Sequence, residues 1–192
     1  MTVGVLALQG DVREHLSLLE ALEIKCKGVK TKAEIDSVDG LIIPGGESTT
    51  LSKLSKAFDL FDFIKEKITS GLPTYGSCAG MIMLADKILE PASGQESFGG
   101  IPMTVRRNAF GSQVDSFEED LDYKGITGPK FKAVFIRAPW VGKLGSGVEV
   151  LSEIDGHAVA VRQGKVLATA FHPELTSDNR IHRFFLEEIC AK

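Results

Sequence analysis

Cysteine is scarce in this 192-residue sequence, and the three present, Cys26, Cys78 and Cys190, are odd in number and scattered. That excludes a disulfide framework and suits the reduced thiols of a cytoplasmic protein. Basic charge is short as well: 22 Lys and Arg against 26 Asp and Glu leave a formal net charge of −4. Without a positive field to gather phosphates, a general nucleic-acid binder is disfavoured. Long hydrophobic runs are missing too. The opening "MTVGVLALQG" has no basic n-region, and its apolar run is too short for a signal peptide or membrane span. No internal repeat or low-complexity linker interrupts the chain. With 43% hydrophobic residues, the expectation is one soluble domain over residues 1–192.

What is present is an alternation of short apolar runs with helical stretches. "TVGVLAL" reads as a buried strand ended by Gly10. "DVREHLSLLEAL" puts Val12, Leu16, Leu19 and Leu22 at helical spacing, with Asp11 as N-cap. "IKCKGV" predicts a second strand, and Thr31 with Glu34 has capping-box spacing for a short helix. "DGLIIPGG" reads as a strand, "STTLSKLSKAF" and "LFDFIKEKITSG" as helices, "LPTYG" as a strand and "AGMIMLADKIL" as a helix. This order predicts an α/β fold with a mostly parallel sheet covered by helices on both faces. Between Pro91 and Gly164, "MTVRRNAF", "SQVDSF", "FKAVFI", "GVEVLSEI" and "HAVAVRQG" read as added antiparallel hairpins and mixed strands. "KVLATAF" returns as an inner strand, and "NRIHRFFLEEIC" closes the chain as an amphipathic helix. The acidic cluster Asp115, Glu118, Glu119, Asp120 and Asp122 reads as a solvated loop or hairpin.

Three stretches carry chemistry. In "GSCAG", Cys78 stands between a strand and a helix, with glycines at −2 and +2, as the serine does in a nucleophile elbow. Small neighbours permit a strained turn, and a helix N-terminus stabilises a thiolate. Cys26 and Cys190 lack such surroundings and read as ordinary thiols. Of four histidines, His15 and His182 lie on amphipathic helices as surface or packing residues, and His157 opens a strand. His172 differs: it follows an apolar strand, and Pro173 biases it towards extended backbone. Glu174, two residues on, can then reach the ring and fix its tautomer. Nucleophile, base and orienting acid follow in the order Cys78, His172, Glu174. In "IIPGGESTT", two glycines between strand and helix expose N–H groups for an oxyanion or anionic ligand. The N–H of Ala79 and that of Gly45 or Gly46 form the natural oxyanion pair. The pattern is neither G-x-G-x-x-G nor a P-loop lysine motif.

"PGGES", "GSCAG" and "FHPE", in this order, resemble the class I (triad) glutamine amidotransferases, which implies a flavodoxin-like sheet. "GVLALQGDVREH", "RRNAFGSQVDSFE", "VFIRAPW" and "FHPELTSD" are similar to the glutaminase subunits of pyridoxal 5′-phosphate synthase, nearly end to end. The resemblance implies hydrolysis of L-glutamine to L-glutamate and ammonia, with ammonia delivered to a barrel-shaped synthase subunit. That partner builds pyridoxal phosphate from a pentose phosphate and a triose phosphate. It further implies that Gly46, Glu47, Ser48, Arg107, Ile136 and Arg137 contact glutamine, and that no metal or cofactor takes part. One departure is Arg106, where an acidic residue is expected before "RNAFG". Docking of the synthase is expected to include "QGDVREH". The glutaminase of imidazole glycerol phosphate synthase shares the chemistry but not "LQGDVREH" or "RNAFGSQVDSF". A cysteine hydrolase with the same elbow usually lacks the His-x-Glu pair.

Overall fold

The computed structural model describes residues 1–107, 109 and 116–191. The apolar runs become the inner strands of a seven-stranded sheet. β1 (Thr2–Leu6), β3 (Gly40–Ile43), β4 (Thr74–Ser77) and β12 (Val166–Thr169) are almost wholly buried, as strands covered on both faces must be. Strand order is β10-β11-β12-β4-β3-β1-β2, where β2 is Lys25–Val29, β10 Glu149–Ile154 and β11 His157–Gln163. The strands from β12 to β2 run parallel, and β11 and β10 extend one edge antiparallel. The chain leaves β1 for β2 on one side and β3 for β4 on the other. Such a reversal opens a crevice at the carboxyl ends of β1 and β3, where open α/β sheets bind ligands.

α1 (Val12–Ala21) and the C-terminal helix cover one face. The latter runs as α6 (Arg180–Phe184) and continues with π-type hydrogen bonding over Phe185–Cys190. Between them lies the fully buried Tyr75 ring, against His15, His182 and Phe185. On the other face α5 (Ala79–Leu84) packs on β4, β12 and β3, with α3 (Ser48–Ala57) against it and α4 (Phe61–Thr69) beyond. α2 (Lys32–Asp36) starts with the expected capping box of Thr31 and Glu34. Among the described residues no helix is long and apolar enough to cross a membrane.

The helix expected over "AGMIMLADKIL" is half that length. It stops at Leu84, and Ala85–Leu89 is a strand, β5. The carbonyl of Met83 accepts from the N–H groups of Phe98 and Gly99, at 2.7 and 3.2 Å, instead of from its own next turn. β5 then pairs with β6 (Ile101–Arg106), so tertiary hydrogen bonding overrides local propensity. β6 also pairs with β9 (Trp140–Leu144), a strand the sequence pattern did not suggest. β7 (Ser116–Leu121) and β8 (Phe131–Ile136) form the hairpin that carries Glu118, Glu119 and Asp120 on an exposed surface. Asp115, and most of "RNAFGSQVDSF" before β7, lie outside the described residues.

The seating of α5 depends on two glycines. A Cβ at Gly76 would stand 2.5 Å from the Gly80 carbonyl carbon, and one at Gly80 would stand 2.2 Å from the Ile43 oxygen. Both obstacles are backbone. Gly80→Ala is therefore expected to lower stability by about 1–3 kcal/mol or more, as overpacking does. Gly94→Ala, with open space around it but a φ of +72, should cost about 1 kcal/mol for backbone strain alone. Urea midpoints of the two variants check the order.

Candidate active site

Four strand ends deliver the predicted groups to one place. β1 leads to Gln9 and Asp11, β3 to Gly45–Glu47, β4 to Cys78, and β12 to His172. Cys78 has φ +48 and ψ −99, and its N–H donates to the Thr169 carbonyl at 2.8 Å. The positive φ sits on Cys78 itself. Gly76 and Gly80 are not in that conformation, so they serve the close approach of α5, not the turn as expected. The thiol is 6% exposed, with Sγ 3.9 Å from the Ile136 carbonyl. Because α5 has only six residues, what it brings to Cys78 is its first-turn N–H groups, beginning at Ala79.

The imidazole of His172 is buried, and its Nδ1 lies 2.9 Å from Glu174 Oε1 and 3.2 Å from Asp11 Oδ2. Two carboxylates on Nδ1 fix the N–H there and leave Nε2 as the nitrogen for Cys78. Burial alone would push the ring's pKa down, but hydrogen bonds to Asp11, Cys78 and Glu174 outweigh it and hold the ring well above the usual histidine range. Asp11 does occupy the N-cap of α1, yet its side chain makes no capping bond. The charge-assisted contact to a buried ring is stronger than a cap worth about 1 kcal/mol. Asp11, His172 and Glu174 offer ligand atoms within 4.8 Å of one another, spacing that would admit a cation. The contacts themselves are those of one ring N–H shared by two carboxylates.

Of the two alternatives for His15 and His182, surface or packing, the structure shows the second: both are fully buried. His15 Nε2 lies 3.1 Å from Ser77 Oγ and 3.5 Å from Glu174 Oε1, and its Nδ1 lies 2.8 Å from His182 Nε2. Ser77 Oγ donates to Glu174 Oε1 at 3.1 Å. Burial alone would raise the Glu174 carboxyl. Hydrogen bonds from His15 and His172, with the charge of His172, outweigh that and hold it well below the usual carboxylate range. A signal for both histidines was present in the sequence. His15 shares the helical stripe of Val12, Leu16 and Leu19, and His182 that of Phe185, Leu186 and Ile189, where an exposed polar residue has no place.

The glycine pair of the β3 loop is shaped by its neighbours. A Cβ on Gly45 would stand 2.4 Å from His172 Cε1, and Gly46 has φ +142, with Gln9 in the way of a side chain. Gly45 O accepts from the Asp11 N–H at 3.2 Å, and the Glu47 N–H donates to Gln9 Oε1 at 3.0 Å. Glu47 caps α3 through the Thr50 N–H. Arg107 reaches Glu47 Oε1 at 3.4 Å and donates to Gln95 Oε1 at 2.8 Å, while Gln95 Nε2 donates to Ser48 Oγ at 2.9 Å. Glu47, Ser48 and Arg107 are thus brought together through Gln95, which no sequence signal marked. Arg106, exposed on β6 beside Leu89 and Trp140, leaves Arg107 turned into this network. Ile136 ends β8 and Arg137 follows it, and the His172 N–H holds that strand by its bond to Val134 O at 2.8 Å. Arg137 has φ +44, a strained conformation for a residue with a side chain.

Buried His182 makes stability fall in mild acid. Burial pushes His182 down to about 3 from an ordinary value of 6.5. Its folded pKa is depressed, so its contribution is full above pH 6.5 and is lost as pH falls from there towards 3. One such proton gives a slope of about 1.4 kcal/mol per pH unit. Glu174, also depressed, adds to the loss below its ordinary 4.5. His172, held above the usual range, acts in the opposite sense above 6.5. Wild-type urea midpoints should therefore change little between pH 7.5 and 6 and fall steeply between pH 6 and 4.5, less steeply for His182→Asn from a lower start.

Comparison with known proteins places this geometry. A family model described as the SNO glutamine amidotransferase family matches residues 5–191. A Streptomyces coelicolor protein named pyridoxal 5′-phosphate synthase subunit PdxT is 57% identical over 189 residues, 98% of this chain and 94% of that one. A solved structure titled as a glutamine amidotransferase superposes with a TM-score of 0.92 at 48% identity, covering 99% of both chains. A putative GMP synthase component from Thermoplasma acidophilum, at 17% identity and a TM-score of 0.70, covers 100% of this chain and 94% of its own and shares the fold. With the match spanning all four strand ends and the loops they carry, the chain belongs to the SNO glutamine amidotransferase family.

Proposed function

We propose that this chain is the glutaminase of a pyridoxal 5′-phosphate synthase, acting as one domain over residues 1–192 in the cytoplasm. The observation that carries the reading is the convergence of Cys78, His172 and Glu174 on the Gly45–Gly46 loop. It occurs in a chain 57% identical to a relative named as a subunit of that synthase. The Cys78 thiolate, paired with the His172 imidazolium, attacks the side-chain amide carbon of L-glutamine. The tetrahedral oxyanion is held by the Ala79 N–H and by an N–H of the Gly45–Gly46 loop. Collapse breaks the C–N bond, and His172 protonates the departing nitrogen, which leaves as ammonia. Water, giving its proton to His172, then cleaves the γ-glutamyl thioester to L-glutamate and restores the thiol.

Arg107 and Arg137 suit the α-carboxylate of glutamine, since a guanidinium presents a planar pair of donors. Glu47, fixed as the α3 cap, suits its α-ammonium, with Gly46, Ser48 and Ile136 completing the wall. Ammonia passes to a separate barrel-shaped synthase subunit, which combines it with a pentose phosphate and a triose phosphate. The groove of about 430 Å³ lined by Arg13, Glu14, Ser17, Leu18, Glu174 and Thr176 suits that partner, lying along the "VREH" part of α1.

Cys78→Ala is expected to abolish glutamate release from glutamine, because no thioester forms, while glutamine and synthase binding survive. His172→Asn should be as damaging. Glu174→Gln removes orientation and charge but not the base, and should lose on the order of 10²- to 10⁴-fold in kcat. Cys26→Ala and Cys190→Ala should remain active. A Glu174→Gln variant with wild-type activity would overturn the roles assigned to the triad.

The lone chain is expected to be a poor glutaminase that the synthase switches on. Gly45 O is engaged by the Asp11 N–H, at the first turn of α1. Turning the Gly45–Gly46 peptide therefore costs one hydrogen bond and needs only glycine's backbone freedom. One oxyanion donor is worth roughly 100- to 1000-fold in rate. Titrating the synthase partner into the glutaminase should raise kcat to a plateau by a factor of that order, and full activity without it would refute the switch.

A further inference from the structure

Behind Glu174, one assignment of protons gives every donor an acceptor and leaves only acceptor atoms, Glu174 Oε2 and His182 Nδ1, unpaired among the described residues. Ser77 Oγ spends its hydrogen on Glu174 Oε1, so at the 3.1 Å contact with His15 Nε2 it can only accept. His15 therefore carries its proton on Nε2. Neutral His15 then presents a lone pair at Nδ1, which accepts from His182 Nε2–H across 2.8 Å. His182 Nδ1, without a partner among the described residues, is left as a bare lone pair, the cheaper group to bury unpaired. The donors run in one direction, from His182 to His15 to Ser77 to Glu174, and His172 Nδ1–H meets the same Oε1 from the other side at 2.9 Å. His15, Ser77 and His182 are fully buried, and Tyr75 packs edge-on against both histidine rings.

We propose that His15 is a positioning residue of the triad, acting through Ser77 and Glu174 on His172, with His182 fixing its tautomer. The inference rests on the roles proposed for Cys78, His172 and Glu174. Chains of hydrogen bonds that end on a charge strengthen one another in a dry interior. With Nε2–H of His15 removed, the Ser77 hydroxyl is free to turn away from Glu174. The carboxylate then loses alignment, and the imidazolium that partners the Cys78 thiolate loses support.

The two ring nitrogens can be tested separately. The amide nitrogen of glutamine reaches the place of Nε2, whereas that of asparagine reaches the place of Nδ1. His15→Gln keeps the contact to Ser77 and Glu174, and His15→Asn keeps only the contact to His182. Both are made in a Cys26→Ser, Cys190→Ser background, so that Cys78 is the one thiol. The first readout is the pH profile of alkylation by iodoacetamide, which needs neither glutamine nor partner. The second is steady-state glutaminase kinetics with the synthase partner at saturation. In His15→Asn the alkylation midpoint should rise by about one pH unit, and kcat should fall on the order of 10- to 100-fold at nearly constant KM. His15→Gln should lose less than about 3-fold, an expectation from conserved donor geometry. Equal behaviour of the two variants, or a better His15→Asn, overturns the proposal. If neither variant folds, Ser77→Ala removes one buried oxygen and decides the matter: an unmoved alkylation midpoint refutes the role. A wild-type chain without glutaminase activity would count against the function alone, since the alkylation comparison still stands.

Discussion

A carboxylate with no solvent contact is the constraint around which this protein is arranged. Glu174 is ionised inside the fold, and an unpaired charge there would cost several kcal/mol. Its Oε1 atom meets three groups drawn from distant parts of the chain: His172 after β12, Ser77 at the end of β4, and His15 on α1. None of these contacts is local except the first. Keeping the charge buried therefore requires α1 to lie across β4, and the second histidine requires the C-terminal helix to lie beside α1. The packing of one whole face of the sheet follows from satisfying one oxygen.

The opposite face holds the nucleophile in a conformation it would not choose. A residue with φ +48 and ψ −99 costs of order 1–3 kcal/mol and persists only where its surroundings over-determine it. For Cys78 the surroundings are specific. Its N–H is tied to Thr169, its carbonyl accepts from Ile82 at 3.3 Å, and α5 is pressed down by the contacts of Gly76 with Gly80 and of Gly80 with Ile43. Neither face suffices alone. The strand on which Cys78 ends is gripped from below by a buried charge network and from above by backbone in contact with backbone.

Local chemistry is legible in the sequence, and contacts made across the fold are not. Thr31 and Glu34 form their capping box because both partners lie within one turn. The inner strands can be read because burial on both faces demands continuous apolar residues. Cys78, His172 and Glu174 can be read because each stands at a strand end with telling neighbours. Asp11 reads as a capping side chain because the competing partner, His172, lies near the other end of the sequence. The early end of α5 depends on Phe98 and Gly99, whose N–H groups no helical pattern reveals. Gln95 stands in a loop and gains meaning only when Ser48 and Arg107 are placed on either side of it. The imidazoles on the apolar stripes of α1 and α6 are the one legible clue that decides between surface and packing for His15 and His182.

α1 emerges as the element with the widest reach into the site. Within its first turn and a third, the Asp11 N–H holds the Gly45 carbonyl, the Asp11 carboxylate holds His172 Nδ1, and His15 supports Glu174. Oxyanion loop, base and orienting acid each depend on the position of the same few residues. Because these contacts are short and directional, a displacement of α1 by a fraction of an ångström changes all three together, not one at a time. The exposed side of the same turn, with Arg13 and Ser17, borders a groove that also reaches Glu174. A force applied at that groove has no need of a relay through the core, since the helix it pushes is already in contact with every reacting group except the thiol, and the thiol is reached through His172.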